Sequence, residues 1–200
     1  MIRIITRLGI PLLLILFLYS PAAHGGAPLE AVRVNFNKVL GVLRDPALKA
    51  AGAKEAKKAK LRAIYRVMFD EIELSRRTLA QHWNALNPAQ RREFVQLYRQ
   101  VLEQAYIDKI LAYTNEKITF ERETMLSAKQ AEIQTRIVTS SKEIPINYRV
   151  LASGGTWKVY DVVVEDVSLV QNYRNQFNDI LAKQTPDQLL EILQKKVKAL

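Results

Sequence analysis

Apolar residues along this chain recur at two periods, and the change from one to the other falls near Tyr113. Before it, the spacing is helical. "PLEAVRVNFNKVLGVLRD" sets Leu29, Val32, Phe36, Val39, Leu40 and Leu43 on one face, as an amphipathic helix requires. "DPALKAAGA" reads as a linker. Lys54 to Phe69 predicts a second helix, with Leu61, Ile64, Tyr65 and Met68 on one side, and Asp70 to Trp83 a third. Asn87 can cap, Pro88 suits the first helical position and Gln90 closes a capping box. A long helix should run from there to about Tyr113, with a stripe through Phe94, Leu97, Tyr98, Val101, Leu102, Tyr106 and Ile110.

After Tyr113 the period becomes two. Ile118 and Phe120, then Ile133, Thr135 and Ile137, then Ile144, Ile146, Tyr148 and Val150 alternate with polar neighbours. Gly154-Gly155 is a two-residue hairpin signal, and "TWKVYDVVV" follows as the last of four strands. Short connections make the set an antiparallel meander. Helical spacing resumes past Asp166 through Leu169, Tyr173, Phe177 and Ile180. "TPDQ", Thr185 to Gln188, opens a final helix. The fold class expected is α+β: a four-stranded antiparallel twisted sheet packed against a helical layer. The helical part is expected over residues 28–113, the sheet over 117–165 and C-terminal helices over 166–198.

The last strand breaks the alternation. Strict period two puts Trp157, Val159 and Val163 on one face and Tyr160, Val162 and Val164 on the other, so both faces are apolar. A strand with one wet face does not read this way.

The N-terminus reads as a segment removed before folding. Arg3 and Arg7 precede an uncharged apolar run, Leu8 to Tyr19, and small residues follow in "SPAAHGGA". That is the three-part pattern of a secretory signal peptide, assigned to residues 1–26, and the run is short of the roughly 20 residues of a spanning helix. The remainder, residues 27–200, suits one domain with a real core. It holds 28 basic and 20 acidic side chains, net +8. The chain contains no cysteine, so packing rather than disulfides must hold it together, as suits a Gram-negative periplasm. A basic exported protein fits anionic lipid headgroups or an acidic partner better than nucleic acid. The basic cluster "KEAKKAKLR" reads as a solvated helix face.

Candidate chemistry is sparse. Beyond the signal segment, His82 is the one histidine, too few nitrogen and sulfur ligands for zinc or copper, so no metal and no cofactor is expected. "DEIE", Asp70 to Glu73, begins a helix, where carboxylates complement the dipole. Glu165-Asp166 reads as a turn. No serine stands in a nucleophile-elbow context and no glycine-rich loop follows a strand. The expectation is a protein that is not an enzyme. Many aromatics fall on inward faces, which suits a filled core or a lined cavity equally.

"FD" at Phe69-Asp70, "LAQHW" at Leu79 to Trp83, "NPAQRREFVQLYRQVLEQAY" at Asn87 to Tyr106 and "WKVYDVVVEDVSLVQNYRNQF" at Trp157 to Phe177 together resemble the MlaC / toluene-tolerance family. Ala80 stands where that family often has Gly, and Asp166 replaces a frequent turn Gly; Asp tolerates left-handed backbone. The resemblance implies a sheet related to nuclear-transport-factor-2-like folds, joined to a helical part, with acyl chains in a deep apolar pocket and headgroups in solvent. It further implies a periplasmic phospholipid carrier, monomeric, working between an outer-membrane lipoprotein complex and an inner-membrane ABC transporter with an MCE-domain subunit.

On that basis the pocket wall is assigned to Leu97, Val101, Tyr106, Ile110, Ile133, Ile146, Tyr148, Val150, Val159, Val163, Val167, Leu169 and Val170. Arg149, Lys158 and Arg174 are assigned to a rim meeting phosphate. Two rival readings use the same residues: a chaperone that binds apolar peptide segments, and a lipid hydrolase working through Glu165, Asp166 or His82.

Overall fold

The computed structural model describes residues 26–48, 50–113 and 115–199. Apart from Gly26, the expected signal segment lies outside the described residues. The helices are α1 (Ala27–Arg44), α2 (Lys54–Met68), α3 (Glu71–Leu79), α4 (Pro88–Leu111), α5 (Leu169–Leu181) and α6 (Pro186–Ala199). The strands are β1 (Lys117–Ser127), β2 (Gln130–Val138), β3 (Glu143–Ser153), β4 (Thr156–Val164) and β5 (Val167–Ser168). They form one antiparallel sheet in the order β1-β2-β3-β4-β5. The sheet thus has five strands where the pattern predicted four. Two-residue β5 is too short to show a period, and it pairs Val167 with Val164 and Ser168 with Val163.

Local chemistry places the ends. Asn87 Oδ1 accepts from the backbone N–H groups of Ala89 and Gln90, and Gln90 Oε1 accepts from Asn87 N–H, completing the capping box. Asp70 caps α3 through the N–H of Glu73, and Ser168 caps α5 through that of Gln171. The third helix is shorter than its pattern: it stops at Leu79 and a 3-10 segment, Ala80–Ala85, follows. Ala80 has φ +48° and ψ −117°, a backbone suited to glycine, which ends the α-helix there. Gly154 and Gly155 turn β3 into β4 with φ +57° and +79°, the conformation of a type I′ hairpin. Glu165 and Asp166 turn β4 into β5 with φ +47° and +65°.

A β-bulge resolves the doubly apolar strand. Arg149 pairs with Asp161 but Val150 pairs with Val159, so Tyr160 is an extra residue on β4. Such an insertion shifts the alternation by one. Directly paired residues share a face. Trp157, Val159, Val162 and Val164 therefore lie on the face of Tyr148 and Val150, while Tyr160, Asp161 and Val163 lie on that of Arg149. This corrects the face assignment for Val162, Val163 and Val164. One face is apolar, and the other is largely polar.

The interior divides into two cores. The helical core is Leu74, Leu79, Leu86, Phe94, Tyr98, Val101, Leu102, Val170, Tyr173, Phe177, Leu189, Leu190 and Leu193. Its centre is an aromatic group: Phe177 meets Phe94 and Tyr98 edge-on, each at 5.5 Å between centroids. The sheet core is Leu29, Val32, Met68, Ala131, Ile133, Tyr148, Val150 and Val159. Here α1 lies across the apolar face, with the end of α2 beside it. The long helix α4 packs chiefly on α6 and α3, not across the sheet as one helical layer would. No helix among the described residues is long and apolar enough to cross a membrane.

Candidate functional site

The two cores meet at Phe69. It packs against both clusters, and its ring stacks on Tyr65 at 4.4 Å. The backbone fixes it: residue 69 bridges Val159 in parallel, and Asp70 N–H donates to Val159 O at 2.9 Å. Ser153 Oγ donates to Asp70 Oδ2 at 2.9 Å. The "FD" pair therefore clips the α2–α3 junction to the free edge of β4. Each core is fringed by half-buried apolar side chains. Leu97, Tyr106, Leu169 and Trp83 fringe the helical core. Phe36, Phe120, Ile146, Trp157 and Val162 fringe the sheet core. Phe36 is the hinge of that second fringe, edge-on to Tyr148 at 5.1 Å and to Phe120 at 5.8 Å.

The thirteen residues assigned to the pocket separate accordingly. Val101 and Val170 are buried in the helical core, and Ile133, Tyr148, Val150 and Val159 in the sheet core. Leu97, Tyr106, Leu169 and Ile146 stand on the fringes. Val163 is buried in β4 opposite Asn147 and Ser168, on the other face from the sheet core. Ile110 and Val167 are exposed, at 41% and 57%. The pocket assignment left out Phe69, Phe36 and Phe120, although Phe36 and Phe120 fall on apolar faces of the pattern. Phe69 was visible only within the "FD" block, because a residue joining two cores obeys neither period.

The rim arginines are partly brought together. Arg149 and Arg174 line one cleft of about 460 Å³, with Arg77, Tyr160 and Asp161, and Lys158 is not among its walls. Both direct their guanidinium groups to the protein itself. Arg149 Nη1 donates to Asp161 Oδ2 at 3.2 Å and its Nε to Glu132 Oε2 at 3.1 Å. Arg174 Nε and Nη2 donate to Arg77 O at 3.0 and 2.7 Å. The Arg77 guanidinium lies 3.8 Å from the centroid of the Tyr160 ring, a cation–π contact.

The electrostatics follow burial. Desolvation pushes the hydroxyls of Tyr65, Tyr98 and Tyr148 well above the ordinary tyrosine range. It also raises Glu71, despite Arg99 nearby. Hydrogen bonds from Arg76 and then Arg77 hold Glu73 below the usual carboxylate range. Among the described residues, no three His, Cys, Asp or Glu converge as metal ligands do. His82 lies in the 3-10 segment beside Gln81, while Glu165 and Asp166 form the exposed β4–β5 turn.

This arrangement of sheet, clip and helical core has relatives. The family model described as MlaC protein matches residues 33–195. The chain belongs to the MlaC family. It is 28% identical over 123 residues to the intermembrane phospholipid transport system binding protein MlaC of Haemophilus influenzae, covering 59% of this chain and 58% of that protein. It is 27% identical over 101 residues to the toluene tolerance protein ttg2D of Pseudomonas putida, covering 50% and 47%. The chain thus spans about half the length of these curated relatives. Among solved structures, a phospholipid-binding protein from Ralstonia solanacearum, in complex with a phospholipid, superimposes with a TM-score of 0.79. That match covers 87% of this chain and 98% of the other at 18% identity, a likeness of fold.

Proposed function

We propose that this MlaC-family chain is an exported, periplasmic carrier of phospholipid. It encloses acyl chains along the apolar seam between its two cores and leaves headgroups in solvent. It shuttles lipid between an outer-membrane complex and an inner-membrane MCE-type ABC transporter, and so maintains outer-membrane lipid asymmetry. The observation that carries this reading is that both cores are fringed by half-buried apolar side chains, Leu97, Tyr106 and Leu169 on the helical core and Ile146, Val162 and Phe36 on the sheet core, with Phe69 packed against both. Half-buried apolar walls on two separate elements can part around a chain without exposing a fully packed core. The fold of the Ralstonia phospholipid-binding protein supports the same use.

The physics suits a carrier. Each CH₂ moved into water costs about 0.8 kcal/mol, so a chain of some 16 carbons costs about 13 kcal/mol. An aqueous gap is therefore closed to free lipid. Shielding by apolar, non-directional contacts removes that barrier without a catalytic group, and it tolerates varied headgroups.

Denaturing extraction of protein purified from bacteria, followed by mass spectrometry of the extract, tests the proposal. Intact phospholipid at a fixed ratio to protein is the expected result. Recovery of no lipid, or of peptide in its place, overturns it; lysolipid and free fatty acid would instead indicate a hydrolase.

A further inference from the structure

The positive charge of this protein sits almost entirely on one hairpin. Residues 27–69 contain ten Lys and Arg against three Asp and Glu, net +7, whereas residues 70–200 contain 18 against 17, net +1. The basic run Lys54 to Arg62 is part of it, and lipid carriage gives that run no task. The helices of this stretch, α1 and α2, pack side by side.

Between these helices lies an open groove of about 490 Å³. It is lined by Gly41 and Val42 of α1 and Ala63 and Ile64 of α2, with Lys38, Lys60 and Asp45 as its charged residues. Gly41 is the informative residue. Glycine inside a helix costs about 1 kcal/mol relative to alanine, and a Cβ here would meet nothing within 4 Å. Neither backbone nor packing within the chain calls for it. Its effect is to leave the groove open.

The same helical stripes extend beyond the groove on both helices. Val34, Lys38 and Gly41 follow at intervals of four and three on α1, and Lys60, Ala63 and Val67 at intervals of three and four on α2, each set on one helical stripe. Val34 and Val67 are 42% and 59% exposed, so the apolar track runs out to the surface beyond the groove. Lys60 shares Asp45 at 3.6 Å. Lys38 has no carboxylate within ion-pair distance among the described residues.

We infer that the α1–α2 groove is the docking site for an acidic amphipathic helix of a protein partner. A shallow apolar groove edged by lysines matches a helix whose apolar ridge is flanked by Asp or Glu, the helix-in-groove mode of recognition. The missing side chain at Gly41 admits such a ridge. The charge excess also steers an acidic partner to this hairpin rather than to the rest of the surface. The inference stands apart from lipid carriage, since the groove lies outside both cores.

The test places a photo-crosslinking residue at Lys60, which lines the groove, of the full chain in living bacteria, with Ser141 in the β2–β3 turn as control. Adducts are sequenced by mass spectrometry, and the captured segment is synthesised and titrated against purified protein. The expected adduct at Lys60 is an acidic segment with helical apolar spacing. Its affinity should fall about tenfold or more in Lys38→Glu and in Gly41→Trp, and fall with added salt. Both sites are on the surface, and circular dichroism verifies folding. The inference is overturned by a lipid adduct, by a neutral or basic segment, by no adduct above the Ser141 control, or by variants that bind the segment as tightly as the wild type.

Discussion

The carboxylate of Asp161, on β4, accepts a hydrogen bond from the backbone N–H of Val170 in the first turn of α5, at 3.0 Å. The same carboxylate accepts from Ser168 Oγ at 2.7 Å and from Arg149 Nη1 at 3.2 Å. Asp161 is 2% exposed, and it ties the sheet to the helical core at the point where the chain passes from one to the other. A carboxylate at a helix N-terminus also complements the helix dipole. Asp161→Ala leaves a buried N–H unpaired and is expected to cost about 3 kcal/mol. Asp161→Asn, which keeps an acceptor, should cost less. Urea unfolding of both variants measures the difference; equal midpoints for wild type and Asp161→Ala would refute the tie.

Ala80 carries backbone strain. Its φ of +48° with ψ of −117° is a conformation natural to glycine, and a non-glycine residue held there costs about 1 kcal/mol or more. Ala80→Gly should therefore raise stability by about 1 kcal/mol, offset in part by the added freedom of the unfolded chain. A thermal or urea midpoint that falls would show that the backbone is not strained at this turn.

Glu71 and Glu73 should respond oppositely to neutralisation. Hydrogen bonds from Arg76 and Arg77 depress Glu73, so its stabilising contribution is full above the unfolded carboxylate range, about pH 4.3, and lost as pH falls through the lower folded value. Glu73→Gln should lower the urea midpoint at pH 7 and flatten its decline in acid. Burial raises Glu71, so its charge opposes folding at neutral pH. Glu71→Gln should leave the midpoint at pH 7 unchanged or higher, against the 3.8 Å pair it gives up with Arg99.

The fringe residues give the sharpest test of the lipid seam. Ile146→Trp and Leu97→Trp enlarge half-buried side chains at the edges of the sheet and helical cores. Both should reduce phospholipid co-purifying with folded protein, read as lipid phosphorus per protein. Val167→Trp alters a side chain that is 57% exposed and should leave the ratio near that of wild type. The opposite ranking would remove the seam as the site of acyl chains.

Much of this architecture was legible in the sequence because its elements are amphipathic and well capped. The α4 stripe, the Asn87–Gln90 box and the Gly154-Gly155 turn each carry their structure in neighbouring residues. The bulge at Tyr160 was not legible, since an extra residue on one strand is defined only against its partner, Arg149 to Val150 on β3. That is why "VYDVVV" reads as apolar on two faces and folds with one. The candidate site was readable in part for the same reason. Leu97, Tyr106 and Ile146 announce inward faces by their spacing, but the spacing is silent on which inward faces share a core.

By itself, then, the amino-acid sequence determined the order and kind of nearly every element, the absence of cysteine chemistry and the concentration of positive charge in residues 27–69. These are properties of composition and of contacts within a few residues. Tertiary structure alone decided that the apolar residues form two cores rather than one, that Phe69 joins them, and that Gly41 opens a groove. Each of those depends on pairing between segments far apart in the chain, and burial acquires a partner only when such segments meet.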